Sequence, residues 1–79
     1  MVWRVVEHDD RRWNVSPVAE RHANSPNWTL VFSFRPLEVG QRPVWATFPL
    51  SSASRATLFA QAEKIPNDAL TALLAEQLA

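Results

Sequence analysis

Residues 28–35, with the sequence WTLVFSFR, alternate between large apolar side chains and smaller or polar ones. Successive side chains of a β-strand point to opposite faces of a sheet, so this alternation gives the segment one strongly apolar face. That face carries Trp28, Leu30, Phe32 and Phe34. The other face carries Thr29, Val31, Ser33 and Arg35. The segment therefore predicts a strand with one side packed against a hydrophobic core.

Three further segments have the alternation and the β-branched or aromatic content of strands. They are residues 2–7 (VWRVVE), 12–18 (RWNVSPV) and 43–50 (PVWATFPL). A polar turn at 8–11, a polar loop at 19–27 and a turn at 36–42 around Gly40 separate the strands. Pro17 cannot donate to a strand ladder, so the second strand should end there or lie at an edge. Because the connections are short, we expect an antiparallel meander in chain order.

After Leu50 the spacing of apolar residues changes from two to about 3.6, which is the period of an α-helix. We predict a helix over residues 52–64, with Ser51 or Ser52 as its N-cap. Pro66 ends it, since the residue before a proline disfavours the helical conformation. Its apolar stripe consists of Leu58, Phe59, Ala62 and Ile65.

A second helix is predicted over residues 68–78, with Asn67 as its N-cap. Asp68 falls in the first turn, where the helix dipole favours a negative charge. The apolar stripe of this helix consists of Leu70, Leu73, Leu74 and Leu78. The predicted fold is therefore α+β, with a four-stranded antiparallel meander followed by two C-terminal helices packed on one sheet face.

The two faces of the predicted sheet differ in chemistry. The apolar face, which the helices would cover, carries Trp3, Val5, Trp13, Val15, Trp28, Leu30, Phe32, Phe34, Val44, Ala46 and Phe48. The opposite face carries Arg4, Arg12, Asn14, Thr29, Val31, Ser33, Arg35 and Trp45. Antiparallel sheets tolerate solvent on one side, so we expect this second face to be exposed to water.

The chain of 79 residues has room for one domain, which we expect to span residues 1–79. A domain of this size buries only about 60% of its unfolded surface, so it needs a dense core. There is no cysteine to form a disulfide, and four tryptophans and four phenylalanines supply the apolar area instead.

The charges are unevenly distributed, although the formal net charge is zero. Residues 1–55 hold seven basic and five acidic groups, whereas residues 56–79 hold one basic and three acidic groups. Seven of the eight basic residues are arginine, and this bias toward Arg and Ala is typical of a GC-rich bacterial genome. The start MVWRVVEHDD lacks the apolar segment of an export signal, so we predict a cytoplasmic protein without a membrane span.

The sequence does not favour catalysis. It has no cysteine, no tyrosine, two histidines and one glycine, and it contains neither a nucleophile-elbow pattern nor a phosphate-binding glycine loop. The run Glu7-His8-Asp9-Asp10 would bind a divalent metal only if His22 joined it, and the spacing matches no ligand signature. We therefore predict a protein that is not an enzyme and that needs no cofactor or metal.

Arg55 breaks two local rules in the predicted helix. It lies in the apolar stripe, and it lies in the first turn, where a cation opposes the helix dipole. One interpretation is structural, with the guanidinium bound to a sheet-edge carbonyl or paired with Glu38 or Glu7. The other interpretation is recognition of an anionic group or of a partner's carboxylate.

The predicted binding residues combine the exposed sheet face with this helix position. They are Arg4, Arg12, Arg35, Trp45 and Arg55. Arginine beside tryptophan is typical of protein interfaces, and we predict a small non-catalytic module that binds a protein partner or a second copy of itself. Alanine-rich helix surfaces would also allow a homodimer. The alternative is weak binding of single-stranded nucleic acid by the same face, although zero net charge counts against it. The residues could instead form a cation–π lattice that serves only stability.

Overall fold

The computed structural model describes residues 3–38, 40 and 42–79. Four strands form one antiparallel sheet in the order β1-β2-β3-β4, and two helices follow. Their bounds are β1 (Arg4–His8), β2 (Arg11–Glu20), β3 (Trp28–Pro36), β4 (Val44–Ser52), α1 (Arg55–Ala62) and α2 (Asn67–Leu78). The predicted α+β meander is confirmed. Val2 of the predicted first strand, and Val39 and Gln41 of the predicted third turn, lie outside the described residues.

A two-residue turn joins β1 to β2. Asp9 and Asp10 have φ values of 54° and 60°, in the left-handed region that a tight hairpin of this kind requires at both central residues. His8 pairs with Arg11 on either side of the turn. The turn therefore fixes the register of the whole hairpin, with Val6 opposite Trp13.

This register reverses the predicted faces of β1 from Arg4 onward, whereas Trp3, which precedes the strand, packs against the core as predicted. Val6 is buried in the core, whereas Val5, the predicted core residue, is exposed. Arg4 lies opposite the buried Val15 and so faces the helices, not the solvent side of the sheet. The prediction failed because VWRVVE has apolar residues on both faces, and a shift of one residue moves every side chain to the other side.

The third strand lies at the centre of the core. Phe32 and Phe34 are fully buried, and Phe32 packs its ring against Phe48 at a centroid distance of 5.9 Å. The core joins sheet and helix residues in one cluster, which consists of Val6, Trp13, Val15, Leu30, Phe32, Phe34, Ala46, Leu58, Ala62, Ile65, Leu70 and Leu74. The predicted apolar faces of β2, β3 and β4 are therefore confirmed. On the opposite face of β3, however, Val31 and Ser33 are buried, so the prediction that this face is exposed to water is wrong at those two positions.

The second strand is longer than predicted, because it continues through Pro17 to Glu20. Pro17 pairs with Phe32 of β3 and lies beyond the pair between Val15 and Arg4, the first residue of β1. Among the described residues, β3 is the only strand paired with β2 at Pro17, which is compatible with the predicted edge position. The predicted end of β2 at Pro17 is wrong.

The fourth strand also runs beyond its predicted end, and it is irregular. Thr29 pairs with Ser51, and Val31 pairs with Thr47. Between these two pairs β4 therefore contains two more residues than β3. Pro49 lies in this bulge, and the pairing then continues to Ser52. An insertion of two residues preserves the alternation of faces, which is why the sequence pattern survives it.

The first helix begins three residues later than predicted, because Ser52 is still part of β4. The N-cap is Ser54, whose Oγ accepts the amide hydrogen of Thr57 at 3.3 Å, so the predicted cap at Ser51 or Ser52 is wrong. Ser52 Oγ instead accepts the amide hydrogen of Ser54 at 3.1 Å. The helix ends at Ala62, two residues before its predicted end.

The second helix begins at Asn67, with Pro66 in the N-cap position and no side-chain cap. The predicted cap by Asn67 is therefore wrong, whereas Asp68 does lie in the first turn. Leu70 and Leu74 are fully buried. Leu78, the last residue of the predicted apolar stripe, is exposed because the helix has passed the end of the core.

Candidate functional site

Arg4 joins β1 to the junction between the helices. Its Nη2 donates to the Glu63 carbonyl oxygen at 2.6 Å, and its Nη1 donates to the Ile65 carbonyl oxygen and, at 3.2 Å, to Asn67 Oδ1. These acceptors lie in the segment that connects α1 to α2, where carbonyl groups have left the helical pattern. Arg4 thus has a structural role, and its predicted place on an exposed binding face is wrong.

Trp3 completes this attachment. Its ring stacks on Phe32 at a centroid distance of 5.7 Å, while its Nε1 donates to Glu63 Oε1 at 2.7 Å. The Arg4 guanidinium lies 4.2 Å from the Trp3 ring centroid, within the range of a cation–π contact. The two consecutive residues Trp3 and Arg4 therefore hold the helix junction against the sheet.

Three of the predicted binding residues do lie together on the sheet side away from the helices, which we call the open face. Arg12 and Arg35 are exposed, and they alternate along their strands with the buried Trp13 and Phe34. Trp45 lies opposite Ser33 and is 54% exposed. The structure thus keeps Arg12, Arg35 and Trp45 on one surface.

Exposed apolar side chains gather on the same surface. In the described part of the chain, three of the four exposed large apolar residues lie there, namely Val5, Leu37 and Trp45. Leu37 continues the alternation of β3, since its amide hydrogen donates to the Arg12 carbonyl oxygen at 3.1 Å. With strands about 4.8 Å apart, the surface from β1 to β4 is about 14 Å wide. We call Val5, Arg12, Arg35, Leu37 and Trp45 the open-face patch.

The charge of the open face differs from the prediction. The corrected register removes Arg4 and adds Glu7, which lies directly opposite Arg12. Two arginines and one carboxylate then occupy the end of the face where three arginines were expected. The predicted cation–π lattice is also wrong, because the described residues place no guanidinium over the Trp45 ring. The open face as a whole is therefore mixed in charge, and Trp45 on it is accessible.

Arg55 lies away from the open face. It is the exposed first residue of α1, and its guanidinium carbon lies 5.0 Å from the Trp28 ring centroid. In the described part of the chain it forms no ion pair with Glu7 or Glu38, so that interpretation is wrong. Arg55 keeps its helical spacing to Leu58 and Ala62, but as the first residue of α1 it is exposed and lies against Trp28 at the end of the sheet.

The sequence interpretation missed Arg21 as a partner of this group. Its guanidinium carbon also lies 5.0 Å from the Trp28 ring centroid. Arg21 follows β2 directly, and Trp28 begins β3, so the loop between the strands brings both to one end of the sheet. In the sequence, this contact could have been suggested by the polar loop between β2 and β3, which has Arg21 at its start and Trp28 at its end.

The remaining titratable groups do not converge. His8 Nε2 lies 3.7 Å from Asp9 Oδ2, an exposed carboxylate beside it in the turn. Within residues 3–38, 40 and 42–79 no three histidine or acidic side chains are grouped as metal ligands. His22 lies in the loop after β2, away from the turn that holds His8.

Comparison of the chain with protein-family models, with curated proteins and with solved structures gives no match. Among the described residues, no helix has the length and apolar character needed to cross a bilayer. The open-face patch and the group around Trp28 are therefore the surfaces from which a function can be argued.

A shallow groove lies elsewhere, between β4 and α2. It has a volume of about 280 Å³ and is lined by Phe48, Pro49, Ala69, Ala72, Leu73 and Glu76. Phe48 belongs to the helix side of the sheet, so the groove is separate from the open-face patch. Its alanines belong to the helix surface that suggested a homodimer, and nothing in the structure shows what would cover it.

Proposed function

We propose that this protein is a small non-catalytic module, in the bacterial cytoplasm, that binds another protein through the open-face patch. The observation that carries the proposal is that Val5, Leu37 and Trp45, all exposed, share with two arginines the sheet face opposite the two described helices. Tryptophan and arginine are the residue types that contribute most to interface energies.

The patch has a rigid support. Trp45 and Arg35 extend from strands whose neighbouring residues Phe34 and Ala46 are buried in the core. A side chain on such a strand loses little backbone freedom on binding, so more of the energy of apolar burial remains as affinity. The apolar side chains supply that energy, at about 25 cal/mol per Å² removed from water.

The partner should offer an apolar surface with a carboxylate at its rim. Arg35 lies opposite Asn14, a neutral residue, and it has no ion-pair partner in the described part of the chain. An incoming carboxylate would accept two parallel hydrogen bonds from its guanidinium. Such a pair adds selectivity and speeds association more than it adds affinity.

Nucleic-acid binding by the same face is less well supported. Affinity for a phosphate backbone comes from several unpaired cations along a groove. Here Glu7 lies opposite Arg12, and Arg4 is bound to the helix junction. The face also exposes two apolar side chains, Val5 and Leu37, which contacts with a phosphate backbone would not bury.

Affinity capture from a nuclease-treated bacterial lysate tests the proposal. We expect Trp45→Ala and Arg35→Ala to weaken retention of the partner by about thirtyfold, because loss of an interface hot spot costs about 2 kcal/mol. Leu78→Ala is the matched control, since Leu78 is 45% exposed but lies at the end of α2.

Equal retention by all variants would remove the open-face patch as the binding surface. Loss of every captured component on nuclease treatment would support the nucleic-acid alternative. Ionic strength separates the two further, because phosphate contacts weaken steeply with added salt and apolar contacts do not.

A further inference from the structure

A second surface of this chain gathers positive charge around one indole. The guanidinium carbons of Arg21 and Arg55 each lie 5.0 Å from the centroid of the Trp28 ring. Their separation therefore cannot exceed the sum of these two distances. Both arginines are exposed, and Trp28 is half-buried against the core. We call these three residues the Trp28 cluster.

The two arginines of the Trp28 cluster are unpaired in the described part of the chain, where Glu20, the residue before Arg21, forms no salt bridge. Neither arginine forms a salt bridge there, and neither guanidinium donates a hydrogen bond to a side chain or a carbonyl group. Arg55 opens α1, whose first turn holds no acidic residue, so the helix dipole adds to the positive potential. Two like charges that share a site repel each other, and a bound anion would reduce this repulsion.

The arginines are also held in place. Trp28 is fixed by its pairing with Ser52 and by its packing against the core. A guanidinium over an aromatic face has fewer positions available than a free one, and it keeps its N–H groups for a ligand. An anion that binds here would meet donors that are already close to their bound positions.

We propose that the Trp28 cluster binds a phosphate dianion, either free or as the monoester of a small molecule. Two unpaired guanidinium groups match the two negative charges of the dianion. The tetrahedral oxygens allow both planar forks to bind one group from different sides. Trp28 faces the helix side of the sheet, so this site is separate from the open-face patch and does not depend on its function.

NMR of the ¹⁵N-labelled full chain tests the proposal. Inorganic phosphate and glycerol 3-phosphate are titrated separately at constant ionic strength, with chloride as the balancing anion. We expect a saturable shift of the Trp28 indole N–H resonance, assigned with Trp28→Phe, and of the Arg21 and Arg55 Nε–H resonances. Equal affinities indicate free phosphate as the ligand, and tighter binding of glycerol 3-phosphate indicates a monoester.

Substitutions at the cluster make the test specific. We expect Arg21→Gln and Arg55→Gln each to weaken binding by about tenfold, the effect of losing one charge-assisted contact. Arg55→Lys should retain part of the affinity, because it keeps the charge and loses the fork. Arg11→Gln, an exposed arginine at the opposite end of β2, is the matched control.

Three results would overturn the proposal. They are a shift that does not saturate, an equal shift with chloride alone, and binding that survives both glutamine substitutions. Unchanged indole resonances of Trp3, Trp13 and Trp45 in each variant establish that the fold is retained, so weaker binding then reports on the cluster itself.

Discussion

Arg4 links parts of the chain that are about 60 residues apart in sequence, and its bonds are charge-assisted. We expect Arg4→Ala to lower the free energy of unfolding by about 2 kcal/mol, because hydrogen bonds from charged groups contribute about 1.5–3 kcal/mol. Arg12→Ala, an exposed arginine on the open face, should change it by less than about 0.5 kcal/mol. Urea unfolding measures both values, and equal effects would contradict the structural role of Arg4.

Trp13 presents the reverse situation, a buried donor without an acceptor. The residue is 2% exposed, and its Nε1 has no hydrogen-bond partner in the described structure. Trp13→Phe removes that donor along with some apolar area, so we expect a loss of only about 1 kcal/mol, whereas Trp13→Ala should cost about 3–5 kcal/mol. If Trp13→Phe were as damaging as Trp13→Ala in thermal or urea unfolding, the indole N–H would have a partner after all.

The hairpin turn is the element that sets the first strand. Asp9 and Asp10 both adopt positive φ angles, which Asn and Gly adopt at lower cost. We expect the double substitution Asp9→Asn with Asp10→Gly to raise the free energy of unfolding by about 1 kcal/mol. The control, Asp10→Ala, should lower it, since alanine gains nothing from a left-handed conformation. Chemical denaturation that ranks the two variants the other way would contradict this turn geometry.

The first residue of α1 differs between the structure and the prediction from the sequence pattern. Ser54 caps α1 by accepting the amide hydrogen of Thr57. We expect Ser54→Ala to cost about 1 kcal/mol of stability and Ser51→Ala almost nothing, because Ser51 belongs to β4. Thermal unfolding of the two variants tests the helix boundary, and a larger effect at Ser51 would restore the boundary that the sequence indicates.

The strands differ in how far the sequence determines them. The alternation in β3 and β4 is clear enough that the faces of Phe34 and Trp45 follow from the pattern alone. It does not predict the burial of Val31 and Ser33 on the opposite face of β3. In β1 both Val5 and Val6 fit a core position, and the choice comes from the two-residue turn, which Asp-Asp signals less clearly than Asn-Gly does. The face of Arg4 was therefore predicted wrongly because the turn at Asp9 and Asp10, several residues away, sets the register of β1.

The candidate sites show the same division. Arg12, Arg35 and Trp45 lie on the open face as the alternation predicts, and their role in binding stays a prediction. The contact between Arg55 and Trp28 could not be predicted, because it depends on where β4 ends and where the β2–β3 loop returns. Hydrophobic periodicity predicts each strand or helix separately. It does not predict which residues come into contact where two such elements end.

At the scale of the whole molecule, Phe32 unites the core. It contacts the rings of Trp3, Phe34 and Phe48 at centroid distances of 5.7, 6.4 and 5.9 Å. We expect Phe32→Ala to cost about 3–5 kcal/mol, which is most of the stability of a domain this small, and to abolish the near-ultraviolet circular dichroism. Phe32→Leu should stay folded with a smaller loss. If Phe32→Ala unfolded cooperatively with an unchanged free energy of unfolding, the core would not depend on Phe32.

The bulge in β4 affects how readily copies of this protein can associate through the free edge of the sheet. The outer edge of a long, regular strand is a template for strands of other molecules and thus for fibrillar aggregation. The two inserted residues and Pro49 interrupt β4 and divide its regular pairing into two shorter stretches. The free backbone edge of β4 is therefore a poor template for cross-β assembly, although the sheet exposes apolar side chains such as Trp45 on its open face.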